Sequence, residues 1–242
     1  MGIKLDSMEP KILYEDKNFV VLDKPSGWIV NEAVTTSDQP VVQNWLKKNL
    51  KSEISDLEYY RSGVVHRLDK ETSGILLVAK NPDSFKNLQA QFKRREVKKT
   101  YIALVHDKVE PQEGTVVAPL GRLPWRRDRF GVLPGGRESV TNYKVSAYYM
   151  LNSTYYTLLN LYPATGRTHQ IRVHLKHIRH PVVSDEAYAG RKTARNDRVW
   201  CPRLFLHASE IEFKDPNNGK KMHFKSELTQ DLNSVLKILT KT

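Results

Sequence analysis

At 242 residues, the chain is long enough for one sizeable hydrophobic core or for two closely joined lobes. Its 39 Lys and Arg residues outnumber its 27 Asp and Glu residues, and the resulting net charge of +12 favours a polyanionic partner. The single cysteine excludes an internal disulfide, and the absence of any run of roughly 18 apolar residues predicts a soluble cytoplasmic protein with no membrane span.

The first part of the chain alternates between strand patterns and helix patterns. Short runs rich in apolar residues predict strands over residues 11–16, 18–24 and 75–80. Apolar residues at helical spacing predict a helix from about residue 40 to 51. A second helix is predicted over residues 81–97, with Asn81 as its N-cap and Pro82 in its first position.

The second part of the chain is richer in strand patterns. Alternating apolar and polar residues predict strands over residues 98–106, 140–149, 154–162 and 204–213. One helix is predicted to begin near Arg167, and leucines at helical spacing between residues 228 and 239 predict another. Because several predicted strands follow one another directly, we expect a mixed α/β fold of the α+β type, with a predominantly antiparallel sheet and flanking helices.

A basic segment, GRLPWRRDRFGVLPGGR, spans residues 121–137 and holds five arginines but only one acidic residue. Its Pro and Gly residues predict a loop, with Trp125 and Phe130 interleaved among the arginines. Such a loop could follow a phosphate backbone and stack on bases, or it could be an ordinary solvated basic loop. The pattern leaves both interpretations open.

Histidines and arginines are also concentrated between residues 162 and 180. The three-residue spacing of His174, His177 and His180 could place them on one helix face, as in a zinc site. The segment has no matching cysteine and no acidic residue before Asp185, so we expect no metal here. A basic helix facing phosphate is the preferred interpretation.

The segment HRLDKETSG, residues 66–74, places a polar patch between two apolar runs. Asp69 lies there between Arg67 and Lys70, just before a predicted buried strand. A lone aspartate in this position is usually an ion-pair partner or a loop cap. The density of hydrogen-bonding groups around it also fits a reactive carboxylate, and residue pattern alone does not decide between the two.

This segment resembles the signature of the RluA-type pseudouridine synthases. Further matches follow in the order of that family, and together they cover about residues 12–224: NFVVLDKPSGW, KKTYIALV, PLGR, WRRDRFGV, SVTNYKV, TGRTHQIRVHL and RLFLHASEIEF. Members of the family isomerise uridine to pseudouridine in RNA without a cofactor, in a catalytic cleft between two subdomains. The resemblance therefore implies an isomerase of this kind, with structured tRNA or rRNA as its partner and neither a metal nor an obligate protein partner.

The resemblance also implies roles for particular residues. Asp69 matches the catalytic aspartate, Arg172 the arginine that pairs with it, and Tyr101 a tyrosine that packs on the uracil and can act as base at C5. Arg67 matches a residue that enters the space left when the uridine flips out of its stack. Four further residues are expected to support the active-site loops: His66, Thr72, His169 and Gln170.

Some relatives carry an additional N-terminal RNA-binding domain, whereas the resemblance here begins by about Ile12. We therefore expect an N-terminal extension over residues 1–10, followed by one catalytic domain over residues 11–242 that binds RNA itself. The candidate RNA contacts are arginines: Arg67, Arg122, Arg126, Arg127, Arg129 and Arg167.

Two other functions are considered. The first is an RNA-binding or RNA-folding protein that keeps this fold without the chemistry, although binding alone requires none of Asp69, Tyr101 and Arg172. The second is a metal-free ribonuclease that uses His66 and His169 as acid and base, which would shorten its RNA substrate.

Overall fold

The computed structural model describes residues 9–32, 36, 38–54, 57–124 and 126–242. These residues form two compact units. Unit 1 contains the described residues up to Val97 together with Ile211–Ser226, and unit 2 contains Lys98–Glu210 and Glu227–Thr242. The single catalytic domain over residues 11–242 remains a prediction.

The secondary structure consists of twelve strands, five α-helices and a 3₁₀ helix at Glu58–Gly63 in the described residues. The strands are β1 (Lys11–Glu15), β2 (Phe19–Lys24), β3 (Ser73–Ala79), β4 (Lys98–His106), β5 (Glu113–Val117), β6 (Leu120–Leu123), β7 (Arg126–Val132), β8 (Val140–Leu151), β9 (Thr154–Pro163), β10 (Leu206–Lys214), β11 (Lys221–Lys225) and β12 (Thr240–Lys241). The helices are α1 (Val42–Asn49), α2 (Pro82–Lys93), α3 (Gln170–His177), α4 (Arg191–Asp197) and α5 (Gln230–Ile238). No helix among the described residues is long and apolar enough to cross a membrane.

Unit 1 contains β1, β2 and β3, which are neighbours in that order, together with β11 and the end of β10 from Ile211 onwards. The β1–β2 and β2–β3 pairs are antiparallel, and all seven residues of β3 are buried. The apolar core of the unit lies between the sheet and α2, and includes Phe19, Leu77, Phe85, Leu88 and Phe213. The predicted strands and both predicted helices of this part of the chain are therefore confirmed.

The N-terminus of α2 follows from its sequence. The Asn81 side chain accepts a hydrogen bond from the Ser84 N–H at 2.9 Å, and Pro82 begins the helix. This side-chain acceptor satisfies one of the N–H groups that a helix leaves unpaired at its start. The predicted cap is confirmed.

Gly63 allows a close approach between the 3₁₀ helix and β3. Its φ of +83° lies in the left-handed region, and a β-carbon there would stand 2.0 Å from the carbonyl oxygen of Ala79. Only glycine fits both constraints. The residue thus fixes the course of the chain immediately before the 66–74 segment.

Unit 2 contains the strand order β4-β9-β8-β12, with β5 paired to β8, together with the first part of β10 up to Glu210. The β4–β9, β8–β9, β5–β8 and β12–β8 pairs are all antiparallel. The buried core of the unit is apolar and includes Leu104, Leu159, Leu175, Phe205 and Val235. Together, the two units confirm the mixed α+β fold with a mostly antiparallel sheet.

The prediction of a loop over residues 121–137 is wrong for much of that segment. Strands β6 and β7 form an antiparallel hairpin, in which Gly121 pairs with Gly131 and Arg122 with Phe130. The glycines lie opposite each other within the strands, and a register irregularity follows Arg122. The Pro and Gly content of this segment therefore wrongly predicts a loop, because Gly121 and Gly131 are paired residues of the two strands. Trp125 lies outside the described residues.

The other boundaries differ by a few residues. The helix predicted near Arg167 begins at Gln170, because His169 has a left-handed φ of +55° that helical backbone does not adopt. Strands β5, β11 and β12 and helix α4 are short, and the sequence patterns did not predict them.

Candidate functional site

Asp69 lies in a turn immediately before β3. Its carbonyl oxygen accepts a hydrogen bond from the Thr72 N–H at 3.1 Å, and β3 begins at the next residue. Asp69 is half-buried, whereas Arg67 and Lys70 on either side are exposed. The turn therefore restrains the backbone of Asp69, with an exposed arginine two residues before it and an exposed lysine directly after it.

Lys24 supports this turn from the end of β2. The residue is fully buried, and its ammonium group donates hydrogen bonds to the carbonyl oxygens of Pro25 at 2.9 Å, Trp28 at 3.0 Å and Lys70 at 3.2 Å. A buried ammonium is tolerated only when its donors are satisfied, and three carbonyl oxygens achieve this. Lys24 thus connects β2 to the residue that follows Asp69.

The loop after β2 adds two more hydrogen bonds to the turn. The Gly27 N–H donates to the Lys70 carbonyl at 2.8 Å, and the Ser26 hydroxyl donates to the Glu71 carbonyl at 2.8 Å. The loop after β2 therefore holds the two carbonyl groups that follow Asp69 in the chain, those of Lys70 and Glu71. These contacts are not predictable from the sequence, since KPSG resembles an ordinary solvated turn.

His66 is anchored within unit 1 by two contacts. Its Nε2 accepts a hydrogen bond from the Leu77 N–H at 2.9 Å, and its ring stacks on Phe92 with centroids 4.8 Å apart. A ring nitrogen that accepts a backbone N–H carries no proton, so Nε2 is engaged in structure. This arrangement fits the expected support of the loop and weighs against His66 as the acid or base of a ribonuclease.

Thr72 is buried, with 2% of its surface exposed. Its hydroxyl has no hydrogen-bond partner within the part of the chain that the structure describes. Its expected support of the active-site loop remains a prediction.

Arg172 forms a buried ion pair in unit 2. Its Nε lies 2.8 Å from Asp185 Oδ2, and its Nη2 lies 2.9 Å from Asp185 Oδ1. Asp185 Oδ1 also accepts hydrogen bonds from the N–H groups of Ala187 and Tyr188, and the guanidinium lies over the Tyr188 ring at 5.1 Å. The bidentate pair and the ring fix the plane of the guanidinium.

Gln170 secures the turn that precedes α3. Its side-chain oxygen accepts hydrogen bonds from the Thr165 hydroxyl at 2.7 Å and the Arg167 N–H at 3.0 Å. Its amide nitrogen donates to the Val140 carbonyl and the Thr141 hydroxyl, both at 3.0 Å. The side chain is therefore saturated, which suits a supporting role better than a direct chemical one.

His169 and Tyr101 have structural contacts within unit 2. His169 Nδ1 lies 2.8 Å from the Tyr188 hydroxyl, and its ring meets Phe130 edge to face. Tyr101 is half-buried in β4, opposite Leu161 of β9, and packs against the core of the unit. These contacts position both residues, and the catalytic role of Tyr101 remains a prediction.

The hairpin arginines have different environments. The guanidinium of Arg122 lies 5.3 Å from the centre of the Phe130 ring. Arg126 and Arg129 lie 3.4 Å and 3.8 Å from Asp128, and the hydrogen bond from Arg126 helps to hold the pKa of Asp128 below its usual value. The side chain of Arg127 lies outside the described residues. Arg126 and Arg129 therefore share a carboxylate, whereas Arg122 stacks on an aromatic ring.

His174, His177 and His180 differ in burial: His174 is buried, His177 is exposed and His180 is half-buried. His174 is fully buried, with Nδ1 2.9 Å from the Thr141 hydroxyl, and burial lowers its pKa, so the neutral form is favoured. Among the described residues, no group of three His, Cys, Asp or Glu side chains could hold a metal ion. Burial raises the pKa of Cys201 to about 11, which makes this thiol a poor nucleophile.

The chain is similar to proteins of known family. The family described as RNA pseudouridylate synthase matches residues 18–177. A ribosomal large subunit pseudouridine synthase D from Nitrosomonas europaea is 38% identical over 95% of this chain and 65% of its own length. The protein of the same name from Pseudomonas aeruginosa is 35% identical over 96% of this chain and 72% of its own length. The chain thus spans about two thirds of these relatives.

A solved structure is similar as well. Human RNA pseudouridylate synthase domain containing 1 shares 25% sequence identity, and the alignment covers 99% of this chain and 92% of the human chain with a TM-score of 0.73. The matched part of the sequence and the fold point to the same family.

Proposed function

The chain belongs to the RNA pseudouridylate synthase family, and we propose that it is an isomerase that converts uridine to pseudouridine in RNA. In this reaction the bond between ribose C1′ and N1 of the base breaks, and a bond between C1′ and C5 forms. C5 loses a proton and N1 gains one, so the reaction requires no oxidant and no added group. Neither a metal nor a cofactor is part of the proposal.

The observation that carries the proposal is the family match over residues 18–177, which includes Asp69 and its turn. The proposed catalytic group is the Asp69 carboxylate, acting as nucleophile at C1′ or as base at C2′. Two hydrogen bonds to the Lys70 carbonyl and one to that of Glu71 support this role, because they restrain the backbone beside the carboxylate. A reacting group requires such restraint to hold its geometry.

Tyr101 and Arg172 complete the proposed catalytic set. Tyr101 is proposed to pack on the uracil and to remove the C5 proton, a role that suits a half-buried phenol. Arg172 is the third proposed member of this set, and its bidentate pair with Asp185, which engages Nε and Nη2, fixes the plane of its guanidinium. Arg67 is exposed and is proposed to enter the gap left by the flipped uridine.

The proposed substrate is ribosomal RNA, because similar proteins are named for the large ribosomal subunit. Structured tRNA is the second candidate, and the cytoplasm is the proposed location. The proposed contacts to RNA are the arginines Arg67, Arg122, Arg126, Arg127, Arg129 and Arg167, which agrees with the net charge of +12.

The test uses RNA labelled with tritium at C5 of uridine, since the isomerisation releases this hydrogen to water. Wild-type protein is compared with Asp69→Asn and with Asp83→Asn, which makes the same chemical change at an exposed position of α2. We expect release by the wild type and by Asp83→Asn, and a loss of at least about a thousandfold for Asp69→Asn. Release that survives in Asp69→Asn would exclude Asp69 as the catalytic carboxylate. Parallel assays on rRNA and tRNA transcripts identify the substrate class.

A further inference from the structure

Unit 2 contains a basic pocket of about 350 Å³. Its walls are the β6–β7 hairpin, the turn at residues 135–137 and the turn at residues 166–168 before α3. Three arginines line it, Arg122, Arg137 and Arg167, and none of the residues that line it is acidic. A concave surface with several guanidinium groups and no carboxylate favours an anionic ligand.

The walls of the pocket are fixed by backbone contacts. Leu120 and Arg137 exchange two hydrogen bonds, at 2.8 Å and 2.9 Å, and a β-carbon on Gly136 would lie 2.8 Å from the backbone of Leu120. The turn therefore packs directly on β6. Because the backbone of Arg137 is held in this way, its side chain projects from a rigid position.

Arg167 provides independent evidence for a ligand. Its Nε is buried and has no hydrogen-bond partner among the residues that the structure describes. An unpaired buried donor of a charged group costs free energy, and an acceptor that enters the pocket would remove this cost. The backbone N–H of Arg167 is already bonded to Gln170, so the side chain is the part that requires a partner.

Lys99 adds positive charge behind the same turn. Its ammonium nitrogen lies 3.7 Å from the position that a β-carbon on Gly166 would occupy. Burial lowers the pKa of Lys99 to about 8, which means that its charged form is poorly solvated. A nearby anion would stabilise that form.

We propose that this pocket binds a phosphodiester group of the substrate RNA, outside the nucleotide that reacts, with Arg137 and Arg167 as its principal ligands. Arg122 contributes a guanidinium whose position is set by the Phe130 ring. Guanidinium groups match phosphate oxygens in a bidentate manner, which suits a pocket lined by three arginines. Arg126 and Arg129 share Asp128 and do not line the pocket, so they contribute less.

This proposal rests on the proposed action on RNA, and its test separates the two. RNA affinity is measured over a series of salt concentrations for the wild type, Arg137→Gln and the double variant Arg137→Gln/Arg167→Gln. Arg191→Gln, at an exposed position of α4 in the same unit, removes one positive charge away from the pocket and serves as the matched control. Pseudouridine formation at saturating RNA is measured in parallel.

We expect Arg137→Gln to weaken RNA binding about five- to tenfold and to reduce the slope of log Kd against log salt by about 1, with a larger effect in the double variant. Arg191→Gln should leave both quantities near their wild-type values. The circular dichroism spectrum and the urea unfolding midpoint of Arg137→Gln should match those of the wild type, which would show that the variant is folded.

Three results would overturn the phosphate site. If Arg137→Gln binds RNA like Arg191→Gln while the wild type forms pseudouridine, the pocket is not an RNA contact and the proposed function stands. If the wild type neither binds nor modifies RNA, both proposals fail. If inorganic phosphate or uridine monophosphate binds at micromolar concentration and Arg137→Gln abolishes only that binding, the pocket serves a free anion.

Discussion

Replacing Asp185 by asparagine is expected to lower the free energy of unfolding by about 3–5 kcal/mol. The carboxylate is fully buried and accepts hydrogen bonds from two nitrogens of Arg172 and from the N–H groups of Ala187 and Tyr188. Asparagine has a similar shape, but one of its two terminal groups is a donor. That donor would face either the guanidinium nitrogen Nε or the two backbone N–H groups. The negative charge that balances the guanidinium would also be lost.

The magnitude follows from the hydrogen bonds involved. A hydrogen bond to a charged group contributes about 1.5–3 kcal/mol, so losing one of the two bonds to Arg172, together with the negative charge that the other one faces, gives about 3–5 kcal/mol. This agrees with the cost of breaking a buried ion pair by removing one partner. The Arg172 side chain is itself only 6% exposed, so water cannot readily replace the lost carboxylate.

The assay is urea unfolding followed by circular dichroism. The matched control is Glu186→Gln, the same carboxylate-to-amide change at the next residue, which is exposed. We expect the control to change stability by less than about 0.5 kcal/mol. A loss below about 1 kcal/mol in Asp185→Asn would contradict this prediction, because the pair would then be no stronger than a surface contact.

Three further predictions concern other parts of the fold. Gly63→Ala should lower stability by at least about 2 kcal/mol, because its β-carbon would collide with the Ala79 carbonyl; a urea midpoint equal to that of the wild type would contradict this. Asn81→Ala should cost about 1 kcal/mol in the same assay, whereas Asn81→Asp should retain most of the helix cap. Burial lowers the pKa of Lys99 from 10.5 to about 8, so the unfolded state binds more protons between these values. The free energy of unfolding of the wild type, taken relative to that of Lys99→Met, should therefore rise from pH 8 towards pH 10.5. If the difference between the two proteins stays constant over this pH range, the ammonium group of Lys99 is not desolvated.

The sequence predicted the elements whose signals are local. Strand β3 is a continuous apolar run because both of its faces are buried, and α2 carries its cap and first-turn proline next to each other. The β6–β7 hairpin was missed because its two central glycines resemble loop residues until they are paired. Composition describes single residues, whereas the register of a hairpin depends on both strands.

The supporting residues of the candidate site could not be found from sequence for a related reason. Lys24 is buried because carbonyl groups from its own loop and from Lys70, 46 residues away, converge on its ammonium group. Asp185 pairs with Arg172 across 13 residues that include the end of a helix and a turn. A lysine at a strand end and an aspartate in a loop are ordinarily solvated, and only the tertiary structure shows otherwise.

The activity proposed for this protein is the isomerisation of uridine in RNA. The most direct measurement incubates ribosomal RNA with the purified protein and then determines both the length of the RNA and its nucleoside composition after complete digestion. We predict that pseudouridine appears in an amount equal to the uridine lost, while the length of the RNA stays unchanged. Shortened RNA without pseudouridine would indicate a ribonuclease. Ribosomal RNA that is bound but chemically unchanged would contradict the proposed activity and favour an RNA-binding protein.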